Sequence, residues 1–119
     1  MFKKKSPNGS QAALCARMGV VPAFVTRGGK LGVSRATLTG GWPLNGVRVR
    51  EEGGASGWYI WSGQVLSEDP SFFIPLHVGH LIDARPEVEE YLGLPSGWRF
   101  LIAPDHEDVW FDENALDPS

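Results

Sequence analysis

Residues 57–63 read Gly-Trp-Tyr-Ile-Trp-Ser-Gly, with two Trp, a Tyr and an Ile set between glycines. Aromatic and β-branched side chains favour a pleated strand, and flanking glycines favour turns. The stretch therefore predicts the central strand of a core. Elsewhere, fifteen Gly and nine Pro interrupt a 119-residue chain. Such frequent punctuation excludes long helices and predicts many short elements.

A chain of this length can bury one hydrophobic core without staples, and its 42% hydrophobic and 21% charged residues suit one globular domain. We assign residues 10–113 to that domain, 1–9 to a disordered basic tip and 114–119 to a frayed tail. The single Cys15 cannot form an internal disulfide, which suits a reducing compartment. No run approaches the ~18 apolar residues of a membrane span, and the polar segment after Lys5 does not read as a signal peptide. A cytoplasmic location with no membrane partner is expected.

Charge is segregated along the chain. Residues 1–50 carry nine Lys or Arg and no acid, whereas residues 51–119 carry fourteen acids and only Arg85 and Arg99 as bases. Either the halves interleave in one sheet and neutralise each other, or an acidic face attracts a basic partner.

In chain order, Ser10 can cap a helix over 11–18 that Gly19 closes. Residues 20–26 are β-prone but confined by Pro22 to an edge or an irregular path. Leu31–Val33 reads as a short strand, with Ser34 capping a helical turn over 35–39. Val47 and Val49 alternate with Arg48 and Arg50, which predicts a half-buried strand over 46–51 with one basic face. A Gly-rich connection then makes a hairpin with the Trp58 strand. Ser67-Glu-Asp-Pro70 carries helix-start chemistry, with Asp69 as cap. Pro86 starts the clearest helix, with Glu87, Glu89 and Glu90 near its positive N-terminal end, Val88, Tyr91 and Leu92 as its apolar stripe and Gly93 as its end. Trp98, Phe100 and Ile102 alternate in a strand that pairs through a Pro104–Glu107 turn with 108–111, forming a second Trp-bearing hairpin. The class is α+β: one small domain, mainly antiparallel, with about five short strands and two to four short helices.

Candidate chemistry is sparse. His77 and His80, three apart, would share a helix face, and His106 with its acidic neighbours offers a further ligand, but three His are an ordinary number and no metal is assigned. Cys15 reads as a small buried hydrophobe, and acids in a turn are usually just solvated. No catalytic residue and no cofactor are assigned. The binding candidates are Trp42 in its Gly-Gly-Trp-Pro loop, and Asp105, His106, Glu107, Asp108 and Trp110, a mixture of aromatic anchors and charge typical of recognition surfaces. The alternative partner is nucleic acid, held by Lys3 to Lys5, Arg27, Lys30, Arg35, Arg48 and Arg50, although the pI near 5.5 opposes it.

Three segments in order, Leu31-Gly-Val-Ser34 before a short helix, Val47-Arg-Val-Arg-Glu51, and Ser56-Gly-Trp58 leading to Ser62-Gly63, with Pro86 through Tyr91-Leu92 beyond them, resemble the immunity-protein-33-like family of bacterial polymorphic toxin systems. The resemblance covers Lys30 to Phe111. It implies a small α+β protein that neutralises a cognate toxin by binding it, with neither catalysis nor cofactor, and it assigns no contact residues.

Overall fold

The computed structural model describes residues 9–116. Most of the expected basic tip and the last three residues of the expected tail lie outside that range. Helix α1 spans Gly9–Met18, so Ser10 falls inside its first turn, and Gly19 leaves it at a φ of 73°, a left-handed exit open to glycine. Residues 20–26 follow an irregular path with no element. Strand β1, Lys30–Ser34, leads into the short helix α2, Arg35–Leu38. Strands β2, Leu44–Arg48, and β3, Ala55–Ser62, form the first hairpin. Strand β4, Phe73–His77, leads into α3, Val78–Ala84, and then a 3-10 helix over Pro86–Tyr91. Strands β5, Trp98–Ala103, and β6, His106–Phe111, make the second hairpin.

These strands form one six-stranded sheet in the order β4-β1-β3-β2-β5-β6. Every pairing is antiparallel except β1 with β3. The first three strands occupy the middle, and the last three flank them on both sides. That topology interleaves the oppositely charged halves of the sequence. Arg17 pairs with Glu107, Arg27 with Asp83 and Arg48 with Glu51.

The core lies on one face of the sheet. Leu31, Val33, Leu44, Trp58, Ile60, Phe100 and Ile102 pack there against Leu14 and Cys15 of α1, Val78 and Leu81 of α3, and Val88 and Leu92 beside the 3-10 helix. Trp58 meets Phe100 at 5.5 Å between ring centroids and donates its indole N–H to the Leu92 carbonyl at 2.9 Å. The most hydrophobic side chain of the predicted central strand is thus buried with its polar atom satisfied. Gly46 lies directly under the Phe100 ring, where a Cβ would sit 2.2 Å from a ring carbon.

Several local expectations are corrected. The strand expected over 46–51 runs over Leu44–Arg48 with the opposite phase. Leu44, Gly46 and Arg48 face the core, and Arg48 is only 1% exposed. Its guanidinium donates to the carbonyls of Ser56 (2.9 Å), Ala23 (2.7 Å), Leu94 (2.8 Å) and Leu92 (3.3 Å) and to Glu51 (2.7 Å). Such a complete shell lets a cation remain buried. Burial still lowers the pKa of Arg48, and Glu51 opposes that shift.

Ser67-Glu-Asp-Pro70 starts no helix. Asp69 accepts hydrogen bonds from the Ser71 N–H and hydroxyl, both at 2.9 Å, in a local turn, and the chain then enters β4. Pro75 is tolerated there because β4 is an edge. The helix expected after Pro86 forms as a 3-10 helix. Of the tail expected to fray, residues 114–116 are packed: Glu113–Ala115 forms a 3-10 turn, Ala115 is buried, and Arg50 donates to the Leu116 carbonyl at 2.9 Å.

Candidate functional site

A cleft of about 460 Å³ opens at the β5–β6 end of the sheet. Trp42, Glu87, Glu90 and Tyr91 line it together with Asp105 of the β5–β6 turn and His106 and Glu107 at the start of β6. Four of the six residues expected to bind a partner therefore surround one concavity. Asp108 shares a face of β6 with His106, to which it hydrogen-bonds at 2.8 Å. Trp110 follows on that face, with the Arg99 guanidinium 5.5 Å from its ring centre.

Local packing fixes each wall. Glu107 sits on the core-facing side of β6, opposite Ile102. The Arg17 guanidinium grips both its carboxylate oxygens, at 2.9 and 3.0 Å, and the Tyr91 hydroxyl also donates to it. The hydrogen bond from Arg17, and after it the one from Tyr91, hold Glu107 below the usual carboxylate range. Burial first, and the bond to Glu107 second, push the Tyr91 phenol well above its ordinary value. Near neutral pH this corner is therefore a carboxylate–guanidinium ion pair with a protonated phenol beside it.

Trp42 precedes Pro43 through a cis peptide and is 41% exposed. Arg85 supports it from behind, with its guanidinium 4.8 Å from the ring centre. Arg85 itself is anchored on the Thr37 and Gly41 carbonyls at 2.8 and 3.2 Å and on Glu87 at 3.3 Å. An aromatic ring backed by a buried cation is held in place at the rim rather than left to collapse into the cleft. Glu90 and Asp105 have no ion-pair partner among the described residues.

Sequence reasoning missed Glu87 and Glu90 as cleft residues, because it used the glutamates of 87–90 to favour a helix N-terminus. The available signal was their density in a half with only two bases. Chemically the arrangement offers fixed negative charge, an exposed indole and room for a cationic side chain.

The other candidates separate in space. His77 and His80 stack edge to face with ring centroids 5.6 Å apart near β4, at the opposite edge of the sheet from His106. Among the described residues no group of three His, Cys, Asp or Glu side chains is placed to hold a metal. Cys15 is fully buried, its thiol donates to the Gly93 carbonyl at 3.3 Å, and burial pushes its pKa up. The thiol is therefore held in its unreactive form. Of the basic residues considered for nucleic acid, Arg48 is enclosed, Arg27 is bound to Asp83 and Arg50 to a carbonyl. Lys3 to Lys5 lie outside the described residues. No helix among the described residues is long and apolar enough to cross a membrane.

Neither the curated proteins nor the solved structures contain a match to this chain. A family model does match, that of the Imm33-like domain, over residues 10–112. The match extends beyond the resemblance seen from Lys30 onward and takes in α1, whose Arg17 completes the Glu107 corner. With the whole sheet and its helical layer inside the matched region, the chain belongs to the Imm33-like domain family.

Proposed function

We propose that this protein is an immunity protein that neutralises a toxin by binding it, without catalysis or cofactor, and that its acidic cleft receives a basic part of that toxin. One observation carries the reading: Glu90 and Asp105 line the same cleft without ion-pair partners among the described residues, beneath an exposed Trp42. Unneutralised carboxylates around an aromatic anchor suit a cationic partner, in binding strength and in rate of encounter. The family supports a protein partner of the toxin class. A cytoplasmic site of action is part of the proposal and is supported by the free, buried Cys15.

The test begins with capture of partners from lysate of the source cells, with nuclease treatment in parallel. The captured protein is then expressed alone and together with this chain. A nuclease-resistant protein partner whose growth inhibition is relieved by co-expression supports the reading. The variant with Asp105, Glu107 and Asp108 all changed to Ala should bind that partner at least ~10-fold more weakly, about 1.4 kcal/mol. Unchanged affinity would place the interface elsewhere. Capture of nucleic acid, with protein partners lost after nuclease, would overturn the toxin-binding reading.

A further inference from the structure

The two edges of the sheet are not equivalent. β4 carries Pro75 at its centre, so it lacks a backbone donor there and cannot support a continuous added ladder. β6 runs from His106 to Phe111 without a proline and, within the described residues, pairs only with β5. Among the described residues, no side-chain or loop hydrogen bond ends on the backbone of His106–Phe111. The unpaired backbone groups on its outer side are therefore available, and all but one of its residues are exposed. Such an edge normally recruits another strand.

We propose that a protein partner docks by adding an extended segment to the outer edge of β6, and that this segment carries Lys or Arg on the face it shares with Asp108. The inference rests on the toxin-binding reading and deepens it by naming the mode of recognition. Charge complementarity selects the occupant. Consecutive positions of a strand lie on opposite faces, so Glu107 presents its carboxylate on the core-facing side and Asp108 on the open side. The Glu107 carboxylate is already held by Arg17 and Tyr91 and that of Asp112 by Arg99, so a strand beside β6 meets negative charge on the open face at Asp108, with Asp105 before it and Glu113 after. At the C-terminal end, Trp110 and Phe111 are 38% and 50% exposed, which gives the segment an apolar end contact.

A second copy of this chain is a poor occupant. Antiparallel self-pairing centred on Asp108 sets that carboxylate directly opposite its own copy, pairing centred on Val109 leaves the two Asp108 carboxylates on a diagonal of one face, and like charges on facing strands are destabilising. Strand addition supplies affinity through the main chain and specificity through alternate side chains, in keeping with the rest of the site.

The probe is a short labelled peptide of alternating Lys and Val, titrated against the full chain at low and high salt. Two derivatives are N-methylated, one at the odd and one at the even positions. An added strand turns only one of these sets of N–H groups toward its host. One derivative should therefore lose at least ~10-fold in affinity while the other binds like the parent, and the amides of residues 106–111 should gain protection from hydrogen exchange. The Asp108→Lys variant, altered on an exposed side chain whose one side-chain partner among the described residues is His106, should weaken the parent peptide as well. Equal binding by both derivatives shows attraction by charge alone and overturns strand addition. Failure of the parent peptide to bind at ~1 mM, or self-association of the protein through β6, also overturns it. None of these peptide outcomes alters the capture and rescue result, so the toxin-binding reading stands or falls separately.

Discussion

Replacing Arg48 by Met keeps an unbranched stem between β2 and β3 and removes every hydrogen bond at its end. The carbonyls of Ala23, Ser56 and Leu94 lose their side-chain donor, whereas that of Leu92 retains the Trp58 indole at 2.9 Å. An orphaned buried acceptor costs about 1–3 kcal/mol. Leu94 and Ser56 are enclosed, and Ala23 is partly open to water. Met suffers no charge burial, which offsets part of the loss. The net effect is roughly 2–5 kcal/mol, a large share of the ~5–15 kcal/mol that holds a domain of this kind together.

The assay is urea unfolding of Arg48→Met beside Arg50→Met. The exposed Arg50 makes a single bond, to the Leu116 carbonyl, so its loss should cost under ~1 kcal/mol. With a slope of about 1–3 kcal/mol per molar urea, the Arg48 variant should unfold at least ~0.3 M earlier than the Arg50 variant. Midpoints that coincide would show that the guanidinium shell contributes nothing, and the argument for Arg48 as an internal clamp would fail.

Gly57→Ala should destabilise far more than Gly53→Ala. Both glycines have positive φ, 91° and 59°, but a Cβ at Gly57 would lie 2.2 Å from the Val49 carbonyl oxygen and one at Gly53 meets nothing within 4 Å. The left-handed penalty of about 1–2 kcal/mol applies to both, and the clash adds about 1–3 kcal/mol at Gly57 alone, which equal melting temperatures would refute. For Glu107→Gln, the folded pKa of the native carboxylate lies below its unfolded value. Its contribution is therefore complete above the unfolded value of about 4.3 and is lost as pH falls through the folded one. The stability gap between native protein and variant should be constant from neutral pH down to about 5 and then close under acid. A gap that persists unchanged into strong acid would contradict the Arg17 and Tyr91 assignments. Cys15 should react with a thiol reagent only as fast as the chain opens and rapidly in urea, and an immediate native-state reaction would refute its enclosure.

Periodicity made the two hairpins legible, because Trp58 with Ile60 and Phe100 with Ile102 recur at the spacing of a half-buried strand. β2 was misphased for a specific reason. Val47 and Val49 resembled core residues and Arg48 a solvated one, while the true inward set of Leu44, Gly46 and Arg48 contains a glycine shielded by Phe100 and a cation satisfied by carbonyls from distant segments. Neither compensation is local, and a one-residue shift in phase exchanges the faces of a strand. The error at 67–73 had the reverse origin. The capping chemistry of Asp69 is real, but it is satisfied within a turn. The cleft was partly legible, since Trp42 and Asp105 to Glu107 were selected by residue type. Their meeting with Glu87 and Glu90 depends on the packing of the 3-10 helix, which no local pattern encodes.

The strand order has a consequence for how the chain is held as one unit. β1, β3 and β2 form a middle whose two borders are both closed by strands from later in the chain, β4 on one side and β5 on the other. A fragment containing only the first three strands would expose both borders, and a fragment containing only the last three would have no middle to join. The connection between β3 and β4 lies on the surface, with Val65 77% and Leu66 50% exposed. A break there would separate two pieces that are each incomplete yet complementary along two borders. The domain should therefore tolerate a nick in this loop while folded, and its separated halves should regain structure only when mixed.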